Sequence, residues 1–70
     1  MSSSVYKIVE VVGTSDVSFG DAAKTAVETA AKTLKDLRIA EIKELDMKIE
    51  GGKVVSYRAR VALSFKYVAD

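Results

Sequence analysis

The segment DLRIAEIKELDMKIEGG, residues 36–52, decides the fold of this 70-residue chain. Its apolar residues fall at even numbers at the start (Ala40 and Ile42) and at odd numbers beyond Lys43. Because side chains of a strand alternate between two faces, the pattern predicts a β-strand over residues 38–50. The change of phase predicts a β-bulge near Lys43, which bends the strand. The closing glycine pair predicts a hairpin turn.

The rest of the chain predicts one helix and two more strands. Residues 6–12 are rich in β-branched residues and stop at the turn signal of residues 13–15, Gly-Thr-Ser. Ser18 is a good helix N-cap, and an apolar stripe that is mostly alanine follows it to Leu34. Residues 53–68 alternate, with apolar residues at odd positions, as a half-buried antiparallel strand does.

The connections predict the order of the strands in the sheet. Strands 1 and 2 are joined through a helix and are expected to run parallel, whereas the hairpin makes strand 3 antiparallel to strand 2. The simplest α+β fold is a βαββ subunit whose sheet, of order 1-3-2, wraps around one helix. No second helix is left to cover the other face. We expect residues 1–4 to be a disordered N-terminus and residues 5–68 a single domain.

The composition excludes several ways of stabilising so small a domain. The chain has no Cys and no His, which excludes disulfides and the usual zinc, copper and iron sites. A domain of this size buries only about 60% of its unfolded surface, yet 49% of the residues are hydrophobic. We therefore expect a homo-oligomer that hides one face against copies of itself. A hard cation held by oxygen atoms remains compatible with this composition.

Charge and hydropathy exclude other classes of function. A net charge of +1 gives no excess of basic residues of the kind that attracts nucleic acid or an anionic membrane. No apolar run approaches the roughly 20 residues of a membrane span, and the start of the chain lacks a signal-peptide pattern. We therefore expect a cytoplasmic protein. Without His or Cys, Ser/His and Cys/His nucleophilic pairs cannot form, and we expect no enzymatic activity.

Ile39 is out of phase with the core positions of its strand. It shares its parity with Glu41 and therefore points to the helix-free side of the sheet. On the last strand Arg58 also falls on the helix-free side. Three roles fit an outward isoleucine there: a subunit interface, a ligand contact or simple exposure.

The sequence resembles the dodecin family over about residues 5–67. The resemblance is carried by VYKIVEVVGTS at 5–15, the alanine-rich helix, AEI at 40–42, the glycine hairpin, and YRARVALSFKY at 57–67. Dodecins are small βαββ proteins that assemble into hollow spherical dodecamers. The resemblance thus implies a homododecamer that binds or stores a small ligand.

Typical dodecins bind flavins through a Trp on strand 2 and a Gln on strand 3. The positions that match are Ile39 and Arg58 in this sequence. Isoleucine has no π face for stacking, and arginine offers donors only, whereas glutamine offers a donor and an acceptor. The resemblance therefore implies a degraded flavin site without tight flavin binding. The alternative is a dodecin that sequesters riboflavin or FMN with weakened affinity.

A Trp-less branch, the calcium dodecins, resembles this chain more closely at LRIAEI (37–42), LDM (45–47) and YRARVALSFK (57–66). This resemblance implies calcium, or another ion, as the ligand type. Calcium takes several oxygen ligands, and without an EF-hand loop such a site must be assembled between subunits. The alternative is that the acids are solvated or ion-paired. The candidate ligands are Glu41, Glu44, Asp46 and Glu50, with Asp16 and Asp21 as further candidates.

Overall fold

The computed structural model describes residues 3–68, with the backbone alone at residue 68. Its three strands form one antiparallel sheet of order β1-β3-β2, which confirms the predicted α+β class and strand order. Residues 1–2 of the segment expected to be disordered lie outside the described residues. Within those, no helix is long and apolar enough to cross a bilayer. The elements are β1 (Val5–Ser15), α1 (Phe19–Ala30), β2 (Leu37–Glu50) and β3 (Lys53–Val68).

The first strand is longer than the sequence pattern predicted. The prediction of a turn at residues 13–15 was wrong, because these residues continue β1 and pair with residues 57–59 of β3. Gly13 serves packing instead: a Cβ atom on it would overlap the backbone oxygen of Ala22 and lie 2.8 Å from the Cβ of Ala26. The glycine therefore lets the helix lie directly against the strand.

The helix begins where the sequence predicted and ends earlier than its apolar stripe. The Ser18 hydroxyl accepts a hydrogen bond from the Asp21 backbone N–H at 3.0 Å, which confirms the N-cap. The helix ends at Ala30 rather than near Leu34, and a tighter turn follows in which the Thr33 N–H donates to the Ala30 carbonyl. Such i→i+3 bonds are common where helices end. The residues of this turn keep the helical spacing of apolar residues up to Leu34, so the sequence pattern continued past the end of the helix.

The core lies between the helix and the middle of the sheet. The only large side chains that are fully buried in the described part of the chain are Leu63 and Val61 of β3. The helix contributes the small residues Ala22 and Ala26, which allow a close approach. It packs on β1 and β3 and barely touches β2. The helix is therefore off-centre on the sheet.

The second strand is bent and extends with β3 well beyond the helix. The register shifts between Ile42 and Glu44, which confirms the bulge predicted near Lys43. Positive φ angles at Gly51 and Gly52, 59° and 76°, confirm the hairpin turn. A helix of 12 residues is about 18 Å long, whereas the subunit is 56 Å long. Much of the β2–β3 hairpin therefore has no helix over either face.

Candidate functional site

The helix-free face of the sheet carries the residues singled out in the sequence. Leu63 of β3 is buried beneath the helix, so its neighbours Ala62 and Ser64 face the other way. Ile39 pairs with Ser64, and Arg58 has the same parity on β3. The structure therefore places Ile39 and Arg58 on one face. Four rows cross this face from β1 through β3 to β2: Ile8, Ser64 and Ile39; Glu10, Ala62 and Glu41; Val12, Arg60 and Glu44; Thr14, Arg58 and Asp46.

Ile39 forms one wall of a shallow trough. It is 67% exposed, and Ile8, at the other end of its row, is 65% exposed. Neighbouring strands lie about 4.8 Å apart, which puts the two isoleucines roughly 10 Å from each other. Between them stands Ser64 on β3, and the small residue Ala62 follows on the same face in the next row. We call these four residues the trough; it offers apolar walls and a narrow floor to a ligand or a neighbouring subunit.

Arg58 is engaged by Asp46, the residue opposite it on β2. Its Nε donates to Asp46 Oδ1 at 2.7 Å and its Nη2 donates to Oδ2 at 3.0 Å. Hydrogen bonding from the guanidinium lowers the pKa of the Asp46 carboxyl and raises the pKa of Arg58. Both carboxylate oxygens therefore already accept charge-assisted bonds. A ligand that needed either side chain would first have to break this pair.

The trough and the Arg58–Asp46 pair lie far apart within one chain. Ser64, which pairs with Ile39, is six residues from Arg58 along β3. At about 3.4 Å per residue this separation is roughly 20 Å. One chain therefore cannot bring Ile39 and Arg58 to the same small ligand, and a site that uses both positions requires a second subunit.

Basic side chains accompany the acids predicted to bind a metal. In the described residues, no group of three or more acidic side chains is close enough to hold a metal ion. The described residues of one chain thus bring together no cluster of acids for an ion, and the four candidate acids on β2 each form an ion pair instead. Further from the sheet face, Asp21 accepts a hydrogen bond from the Ser15 hydroxyl at 2.7 Å, and Asp16 is exposed. The pairs are Glu41 with Lys43 (4.0 Å), Glu44 with Arg60 (3.1 Å), Asp46 with Arg58 (2.7 Å) and Glu50 with Lys48 (3.4 Å).

Sequence reasoning missed two features of this face. It treated Arg58 as a flavin position and Asp46 as a metal ligand, whereas the structure joins the two. It also missed Ser64, because side-chain parity gives the face of a residue but not its cross-strand partner. The signal that was available is the glycine hairpin. Counting back from Glu50 opposite Lys53 places Asp46 within one position of Arg58, and a register shift between Lys48 and Ile49 supplies the remaining residue.

A βαββ subunit with one helix and one helix-free sheet face defines a small class of α+β proteins. This chain belongs to the dodecin family, whose family model matches residues 5–68. The matched residues include all three strands and the helix, and thus both edge strands of the sheet, β1 and β2.

Individual relatives agree with this assignment. The calcium dodecin of Mycobacterium tuberculosis is 38% identical over 63 residues, which span 90% of this chain and 89% of that protein. The crystal structure of this calcium-chelating antigen, which has a novel calcium-binding site, matches with a TM-score of 0.81 over 96% of both chains. Dodecin from Streptomyces coelicolor is 33% identical, with a TM-score of 0.90 and full coverage of both chains. A Thermus thermophilus dodecin variant is 34% identical, with a TM-score of 0.87, covering 96% of this chain and all of that one.

Proposed function

We propose that this dodecin is a small-ligand-binding or storage protein that assembles as a hollow homododecamer and binds calcium rather than flavin. The observation that carries the proposal is the Arg58–Asp46 pair, which engages Arg58 at the position where flavin-binding relatives have a glutamine. Calcium chelation by the M. tuberculosis relative supports the choice of ion. The large exposed apolar side chains of the single chain support self-assembly.

Flavin binding is disfavoured at both family positions. Ile39 supplies apolar area without a ring to stack on an isoalloxazine. Arg58 supplies only donors, and two of them are already bonded to Asp46. The trough is the one observation that favours the alternative of weak flavin sequestration, because Ile8 and Ile39 leave an apolar gap roughly 10 Å wide.

Calcium binding requires acids from more than one subunit. Each of the four candidate acids has a Lys or Arg within 4.0 Å in its own chain, so one chain supplies too few free oxygens for the six to eight that calcium takes. Exposed ion pairs are individually weak. Calcium could therefore displace the basic partners if a neighbouring subunit added further carboxylates to the site. We therefore assign the ion to an intersubunit position ligated by members of the set Glu41, Glu44, Asp46 and Glu50.

Calcium titration of the chelator-treated protein by isothermal calorimetry tests the proposal, with magnesium and riboflavin titrated in parallel. We expect heat from calcium, little from magnesium, and no quenching of riboflavin fluorescence at micromolar protein. The Glu44→Gln, Asp46→Asn double variant should lose the calcium heat, whereas the matched variant Glu28→Gln, on the helix, should keep it. Riboflavin quenching without any calcium heat would contradict the proposal and favour the flavin alternative.

A further inference from the structure

The bulge in β2 brings three of the predicted metal ligands onto one face of the sheet. Residues three apart on a regular strand point to opposite faces, so a regular β2 would separate Glu41 from Glu44. The register shift before Glu44 takes up one extra residue, Lys43, and keeps the two glutamates on the same face. Asp46 follows in the next row, about 7 Å further along the strand. We call Glu41, Glu44 and Asp46, which all lie on the helix-free face, the acid column.

Two arginines of β3 stand directly beside the acid column. Arg58 donates one hydrogen bond to each carboxylate oxygen of Asp46. The Arg60 Nε lies 3.1 Å from Oε1 of Glu44, and its Nη1 lies 3.6 Å from Oε1 of Glu10 on β1. Each arginine therefore occupies carboxylate oxygens that a bound cation would use.

These arginine contacts are exposed to water rather than buried. The side chains of Arg58 and Arg60 are nearly half exposed, and those of Asp46 and Glu44 are more than half exposed. Exposed ion pairs are individually weak, so each carboxylate can exchange its arginine for another cation. Calcium affinity depends on the number of ligand charges, and a positive side chain next to the ligands lowers that affinity by repulsion. The arginines are thus placed to weaken ion binding without abolishing it.

We propose that Arg58 and Arg60 are built-in counter-ions that set the calcium affinity of the protein, because they occupy the acid column until the ion displaces them. This inference rests on the calcium binding proposed above and names the residues that regulate it. Neither arginine is a ligand itself, since a guanidinium offers donors only, and both act through the carboxylates that they hold. Ion uptake is then an exchange of cations on the acid column, which keeps the bound ion releasable, as storage requires.

Calcium titration of Arg58→Gln by isothermal calorimetry tests this regulation on the chelator-treated, full-length protein. The substitution removes the bidentate contact with Asp46 and one positive charge, so calcium affinity should rise about tenfold over that of the parent. Arg38→Gln is the matched control. It removes the same charge from another exposed arginine, whose partner Asp36, at 3.9 Å, is not a candidate ligand. Its calcium affinity should stay within about twofold of that of the parent.

Thermal unfolding gives a second readout that does not depend on the heat of binding. At one fixed calcium concentration, the rise in the thermal midpoint should be larger for Arg58→Gln than for the parent, because tighter binding stabilises the folded state more. The same melts show that the variant is folded. An equal rise in both proteins would overturn the inference.

The outcomes separate the role of the arginines from calcium binding itself. Tighter calcium binding that is confined to Arg58→Gln supports the inference. Equal affinities in the parent and Arg58→Gln would overturn it and leave calcium binding intact. Equal tightening by Arg38→Gln would also overturn it, because net charge alone would then explain the effect. An absence of calcium binding in all three proteins would overturn the proposed function together with the inference.

Discussion

The two faces of the sheet use alternate residues of the same strand and differ completely in character. On the helix side of β3, Ala59, Val61 and Leu63 are at most 1% exposed. On the helix-free side, Arg58 and Arg60 have side chains that are nearly half exposed and are ion-paired. An alanine-rich helix covers the middle of the first face within one chain. The second is left open in one chain, and we propose that copies of the chain and a ligand complete it.

The largest effect is expected from a charge on the open face. Ile8→Glu should disassemble the particle, because every copy would bring an unpaired carboxylate into a covered position. Ile8 is 65% exposed in the single chain, so the subunit itself should still fold. Mass photometry reports the loss of the particle, and Lys24→Glu on the helix is the control. An unchanged particle mass for Ile8→Glu would show that this end of β1 is not covered in the assembly.

A substitution on the helix side should act on the fold instead. Gly13→Ala forces a Cβ into the backbone oxygen of Ala22, and overpacking of this kind typically costs about 1–3 kcal/mol. The thermal midpoint should fall clearly in a circular dichroism melt. Gly20→Ala is the matched control: its new Cβ would meet nothing closer than 3.9 Å, and alanine favours a helix by up to about 1 kcal/mol. Equal melting of the two variants would contradict the role given to Gly13.

Restoring the family residues should restore flavin binding. Ile39→Trp supplies a ring above the floor of the trough, and Arg58→Gln removes the bidentate pair and adds an acceptor. The double variant should quench riboflavin fluorescence, with affinity at least about tenfold above that of the parent. Each single variant serves as a control for the other. No quenching by the double variant would mean that the ligand position differs from that of flavin-binding relatives.

The smallest expected effect is electrostatic and concerns one exposed pair. Arg58 lowers the pKa of Asp46 below its ordinary value of 3.8. A lowered folded-state pKa contributes stability that is present above the unfolded pKa and is lost as the pH falls through the folded value. The contribution therefore disappears only in acid below about pH 4, and exposure keeps it small.

An NMR titration of the carboxyl carbons checks this pair. Asp46 should titrate below its ordinary value in the parent and near that value in Arg58→Gln. Identical midpoints in both proteins would show that the pair does not persist in solution.

The sequence predicted the helix side of the fold better than the open side. Alternation along β3 and the phase change at Lys43 gave the strands, the bulge and the face of Ile39, because burial leaves a periodic signal. Gly13 was misread as part of a turn, since close packing by a helix leaves no local signal other than the glycine itself. The Arg58–Asp46 pair was not predicted, because it depends on cross-strand register. The calcium ligands remain a prediction, because a site shared between copies leaves no spacing pattern within one chain.

A native mass spectrum of the protein as purified, without added ligand, tests the central claim most directly. The claim is that copies of the chain complete its open surfaces. A particle of twelve subunits, with excess mass that matches bound calcium and disappears after chelation, is the predicted result. A monomer or dimer would contradict the shell, and a dodecamer whose excess mass matches a flavin would contradict the assignment of the ligand.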